Sequence, residues 1–100
     1  MENSYLATGT HAGNGAAKNI SIGWKPKKVT LFDVTNNVTY MWTNTMANAT
    51  AVKTVTDGTQ SFVAADMVTP YTGSTTTTAG FTIGATLNTN AATFHWTAER

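Results

Sequence analysis

Apolar and polar residues alternate along this chain in short runs, separated by Gly, Pro, Asn and Asp. Ile20 and Ile22 alternate with Asn19 and Ser21, the pattern of a half-buried strand, and Gly23 and Pro26 end it. Val29–Val34 places Leu31 beside Phe32, which predicts a strand covered on both faces. Asn36-Asn37 follows, and Asn tolerates the positive φ of a tight turn. Val38, Tyr40 and Trp42 then alternate with Thr39, Met41 and Thr43, so Val29–Thr43 is the clearest hairpin in the chain. A second hairpin is predicted where Val52–Val55 and Gln60–Ala64 flank Asp57-Gly58. Phe81–Ile83 is a short strand between Gly80 and Gly84. The closing strand Thr93–Glu99 sets Phe94 and Trp96 on one face, His95 and Thr97 on the other.

The remaining stretches lack periodicity. Met46–Ala51 is small and compatible with one helical turn, and Thr69–Gly80, with Pro70, Gly73 and Thr75–Thr78, reads as a long exposed loop. Residues 1–16 read as an extended N-terminal arm with a short strand near Tyr5–Thr10, turned at Gly13-Asn14-Gly15. No helix-period pattern exceeds two turns. Many short strands with turns roughly every 8–12 residues predict an all-β fold: a single-domain antiparallel β-sandwich or jelly-roll-like barrel over residues 17–100.

Composition narrows the chemistry. One hundred residues make one domain, and 41% hydrophobic content is enough for a core. Only 11% of residues are charged, against about 25% in an average soluble domain. Thr takes their place, at roughly a fifth of the chain. It is β-branched and suits strands. It also builds surfaces that pack against other protein with few ions to desolvate.

The net charge of +1 lacks the basic excess of a nucleic-acid protein. One local cluster stands out, Lys25, Lys27 and Lys28 around Pro26; it is either a solvated strand entry or a contact to an acidic partner. There is no Cys, hence no disulfide framework, thiol chemistry or Cys-based zinc cluster. The start of the chain does not resemble a signal peptide, and no run approaches a membrane span. A protein folded in a cytoplasm, with no membrane partner, is the expectation.

Catalytic chemistry finds few candidates. The acids are Glu2, Asp33, Asp57, Asp66 and Glu99, and nothing local pairs any two of them. Asp57 belongs to a turn; strand-edge solubility and loop hydrogen bonding account for Asp33 and Asp66. His11 sits in the Gly-rich arm and His95 between two aromatics, so neither stands beside an obvious nucleophile. The spacing of His and acids suits no metal, and no phosphate-loop or dinucleotide pattern is present. The expectation is no enzyme, no cofactor and no metal. The sequons at Asn19, Asn37 and Asn48 are of the frequency expected in an Asn- and Thr-rich chain. Among the aromatics, Trp42 and Trp96 belong to strands and favour the core. Trp24 and Tyr71 lie beside Pro and are the better surface candidates, able to stack on a sugar.

Two stretches carry a resemblance. Ile22-Gly23-Trp24-Lys25-Pro26-Lys27-Lys28-Val29 is one. Ala79-Gly80-Phe81-Thr82-Ile83-Gly84, followed by Leu87-Asn88 and by Thr93-Phe94-His95-Trp96-Thr97-Ala98, is the other. Together they resemble small β-structured proteins and tail-fibre modules of tailed bacteriophages. The resemblance covers the chain from about Gly15 onward and implies a virion structural protein. For a free-standing module of this size it implies a capsid decoration (cement) subunit, a homotrimer that binds the major capsid protein and stabilises the shell. A tail-fibre or spike module binding host-surface glycan is the alternative. Partner contacts are expected from Tyr5, His11, Trp24, Lys25, Lys27, Lys28 and Tyr71, with the arm reaching to a neighbour.

Overall fold

A computed structural model describes residues 6–73 and 78–100. Tyr5 and most of the threonine run at Thr75–Thr78 lie outside them. The chain is all-β: β1 (Leu6–Ala12), β2 (Lys18–Ser21), β3 (Lys28–Asp33), β4 (Val38–Thr43), β5 (Thr50–Thr54), β6 (Gln60–Tyr71), β7 (Gly80–Ile83) and β8 (Thr93–Glu99). All eight belong to one antiparallel sheet in the order β1-β8-β3-β4-β5-β6-β7-β2. Strands β3 to β7 form a meander. Strand β8 returns to pair with β3 on its far side, and β1 and β2 add the two edges.

The sheet curls into a half-barrel rather than splitting into two layers. Phe81 of β7 meets Trp96 of β8 edge to face, centroids 5.4 Å apart, although four strands separate β7 from β8 in the sheet. The concave side holds the core: Val29, Leu31, Tyr40, Trp42, Val68, Phe81, Ile83, Phe94 and Ala98, joined by Ile20 from β2 and Leu87 from the β7–β8 connection. Each fully buried Val, Leu, Ile or Phe contributes about 1.5–3 kcal/mol, which makes this face the main source of stability.

Local chemistry explains the turns. Asn37 has φ 56° between β3 and β4, as the Asn-Asn pair predicts, and Gly58 has φ 89° between β5 and β6. Asp33 closes the β3–β4 turn by accepting hydrogen bonds from the Thr35 and Asn36 amides, both 3.0 Å, and from Asn36 Nδ2 at 2.8 Å. It is 1% exposed, so it is a buried turn cap and not a solubilising strand-edge charge.

Several expectations change. The strand expected near Tyr5–Thr10 is present as β1, but Leu6–Ala12 is no free arm: all seven residues pair with β8, from Leu6↔Glu99 to Ala12↔Thr93. The boundary at residue 16 therefore does not separate an arm from a domain over the described residues. Phe32 is 39% exposed, so β3 is covered on one face only. Residues 44–49 form turns without a helix. Strand β6 runs on through Pro70 to Tyr71, shortening the expected loop. Pro70 is tolerated there because β5 ends its pairing at Val68. Val68 points its carbonyl at the Ala49 amide, so the N of Pro70, two residues on, faces the same side, beyond the end of β5.

Between Val63 and Val68 strand β6 bulges, four residues standing against the step from Thr50 to Ala51. Asp66 in this bulge has φ 64° and accepts from Thr86 N at 3.0 Å and Thr86 Oγ1 at 2.7 Å. These bonds hold its carboxyl below the usual pKa.

Candidate functional site

Strand direction sorts the candidate residues to two ends of the barrel. The β2–β3 connection, the β4–β5 turn, the end of β6, the start of β7 and the end of β8 share one rim. Trp24, Lys25, Lys27, Lys28 and Tyr71 all belong there. Lys25 and Lys27 line a cleft of about 320 Å³ with Pro26, Trp42, Asn44, Asn48 and Pro70. Backbone bonds hold the rim: the Lys27 amide donates to Glu99 O at 2.7 Å, and the Asn44 amide to Lys27 O at 2.8 Å.

The rim aromatics are less available than their positions beside Pro suggest. Trp24 is half-buried against the core and carries Arg100 5.8 Å from its ring centroid. Trp42 is fully buried and donates Nε1–H to Ala47 O at 3.1 Å. Tyr71 pairs with Gly80 at the end of β6 and is half-buried. Lys28 leaves the rim for the outer face, where it reaches Glu99 at 3.9 Å. Both side chains are exposed, so this pair is worth little.

His11 lies toward the opposite end and is engaged within the fold. Its ring stacks on Phe94, centroids 5.0 Å apart and planes 10° from parallel. Nε2 lies 2.9 Å from Asn88 Oδ1. Asn88 Nδ2 donates to Asn14 Oδ1 and Ala16 O, which leaves Oδ1 as acceptor and makes His11 Nε2 the donor. Burial depresses the imidazole pKa below 6.5, opposed by the Asn88 bond and aided by Lys18. Asn88 is 0% exposed and ties β1, the β1–β2 link and the β7–β8 connection together. Its position two residues before Asn90, in a run of Asn and Thr, carries no pattern that marks it as this hub.

A surface that residue-by-residue reading missed is the outer face of the sheet. Register aligns two rows across six strands. One is Thr8, Thr97, Thr30, Met41, Val52 and Phe62. The next is Thr10, His95, Phe32, Thr39, Thr54 and Gln60. Neither row holds Asp, Glu, Lys or Arg. Phe62 is 60% exposed and Phe32 39%. Over β8 the face dips into a shallow groove of about 430 Å³ that includes Thr8, Thr10, Thr30, Phe32 and His95. The alternation of Thr with the buried residues of each strand is the sequence feature that builds this face; only pairing aligns it between strands.

The acids among the described residues stand apart. Asp33, itself buried, caps an exposed turn, Asp66 holds Thr86, Asp57 accepts from the Thr59 amide at 3.0 Å, and Glu99 faces Lys28. Among the described residues no three His, Cys, Asp or Glu gather as a metal set. No family model matches this chain, and neither a curated protein nor a solved structure does.

Proposed function

We propose that this chain is a non-enzymatic structural protein that packs its outer sheet face against other protein, and that it serves as a capsid decoration subunit of a tailed phage. The observation that carries the packing role is the pair of charge-free rows crossing six strands, with Phe32 and Phe62 exposed upon them. Desolvating Thr, Met and Phe costs far less than desolvating ions, and exposed aromatics are what protein interfaces bury at their centres. The phage assignment rests on the resemblance of the Gly23–Val29 and Gly80–Gly84 segments, and on a module whose described acids are engaged in turns and surface pairs.

The test is co-sedimentation of the purified chain with undecorated heads of a tailed phage from its own source. Binding should saturate at a fixed ratio to capsid subunits and fall at least about tenfold in a Phe32→Ser/Phe62→Ser variant. Failure of the folded chain to bind any such head removes the capsid role. Undiminished binding by the double variant removes the outer face as the contact.

The rim cleft favours a second reading, a module that binds host-surface glycan. Two lysines and two Asn amides at one open cleft suit an acidic sugar. Glycan binding lost on Lys25→Ala/Lys27→Ala, with no attachment to heads, would put this reading first.

A further inference from the structure

The two edges of the sheet are unlike. Strand β2 spans four residues and opens on Lys18, and short, charged edges discourage pairing with another chain. Strand β1 spans seven residues, LATGTHA, with no Lys, Arg, Asp, Glu or Pro, and keeps unbroken register with β8. Among the described residues it has no charge, Pro or bulge to protect the edge.

The hydrogen bonds show which groups this edge presents. The Val34 amide donates to Thr93 O, so Thr93, His95, Thr97 and Glu99 turn their backbone groups toward β3. Phe94, Trp96 and Ala98 therefore turn theirs toward β1, where they meet His11, Gly9 and Ala7. Gly13 continues the alternation, donating to Ala92 O at 2.8 Å. It follows that Leu6, Thr8, Thr10 and Ala12 direct their N–H and C=O away from the sheet, with side chains exposed on the outer face.

We propose that β1 pairs antiparallel with β1 of a second copy, about a two-fold axis at Gly9. That axis sets Leu6 opposite Ala12 of the other copy and Thr8 opposite Thr10. Each such pair joins two outward-directed residues, so each exchanges two hydrogen bonds. A strand offers this self-complementarity when its outward residues lie symmetrically about a central one, as 6, 8, 10 and 12 lie about 9. Thr8 and Thr10 would also meet side chain to side chain, a favourable cross-strand pair. No charge is buried, and the uncharged rows of the two copies join across the new pair, Thr8 of one row meeting Thr10 of the other. The pairing holds whatever that surface meets, capsid or glycan, and puts a two-fold dimer in place of the homotrimer that the resemblance implied.

The test is made on the full chain. Sedimentation equilibrium should show a mass rising with concentration from 10.6 kDa toward twice that value. Amide exchange at Thr8 and Thr10 should slow at least about tenfold over the same range, while Gly9 and His11 stay protected throughout. Thr8→Pro removes one outward N–H and none of the bonds to β8, and should hold the mass at the monomer. Thr8→Lys, which keeps the amide and adds charge at the edge, gives the same answer should the proline variant not fold. A monomer at all concentrations up to about 1 mM overturns the proposal, that being the weakest association expected of an edge contact. So does a trimer, or a dimer in which the Thr8 and Thr10 amides exchange freely or which both variants leave intact.

Discussion

Gly9 stands directly opposite Trp96 in the β1–β8 pair, and the indole lies across the space where a side chain at residue 9 would begin. A methyl built there comes within 2.7 Å of Trp96 Cε2. The glycine is therefore a seat for the ring, which in turn meets Phe81 across the barrel. Gly9→Ala should destabilise the fold by about 1–3 kcal/mol, the usual cost of overpacking. Urea unfolding followed by Trp fluorescence measures it. In a Trp96→Ala background the same change should cost much less, and an equal cost there would show that the ring is not what the methyl strikes.

Asn88 accepts from His11 and donates to Asn14 and Ala16 while wholly buried. Asn88→Ala strands these partners and should cost about 1–3 kcal/mol. Asn88→Asp should be at least as harmful at neutral pH, because a carboxylate would face two acceptor oxygens, Asn14 Oδ1 and Ala16 O. Chemical denaturation of both variants tests the order.

His11 gives the fold a pH dependence with a definite sign. Burial lowers its pKa in the folded state, so just below pH 6.5 the unfolded chain binds more protons than the folded one. Stability is complete above about pH 6.5, the unfolded value, and is lost as pH falls through the folded-state pKa. Thermal midpoints should be highest at pH 7.5 and fall as pH is lowered below 6.5, and His11→Gln should flatten the decline. An unchanged slope in the variant would assign the effect elsewhere.

Gly84 and the Asp66 bulge are packed backbone to backbone. A Cβ at residue 84 would collide with the carbonyl oxygen, carbonyl carbon and Cα of Asp66, none of which can rotate aside. Gly84→Ala should cost more than Gly9→Ala, on the order of 3 kcal/mol or above. Gly58 meets nothing within 4 Å, so Gly58→Ala should cost only the strain of its positive φ, about 1 kcal/mol.

Legibility followed sequence distance. The β3–β4 and β5–β6 hairpins could be read because period-two alternation and an Asn-Asn or Asp-Gly turn are local properties. The face assignment in β8, with Phe94 and Trp96 inward, followed from the same rule. The strand near Tyr5–Thr10 was legible, but its pairing with β8 leaves no local trace, so it read as part of an arm. Pro70 suggested a loop because the rule against Pro in strands assumes a neighbour on its N side, and here β5 has already ended. Five candidate partner residues share one rim because each sits near a strand end of the same polarity. His11 fell elsewhere, and its bond to Asn88 joins positions 77 apart in the chain.

The position of β8 also governs how the protein is made. Of the eight described strands it is the last to leave the ribosome, yet it lies between β1 and β3, two of the earlier ones. Until Thr93–Glu99 emerges, neither of those strands has its partner on that side, and the concave face lacks Phe94, Trp96 and Ala98. Completion of the sheet must then wait for β8 and for its meeting with β1, more than eighty residues away in sequence, a closure of high contact order and correspondingly slow rate. A nascent chain stopped before residue 93 holds open the very edges on which other unfinished copies can pair.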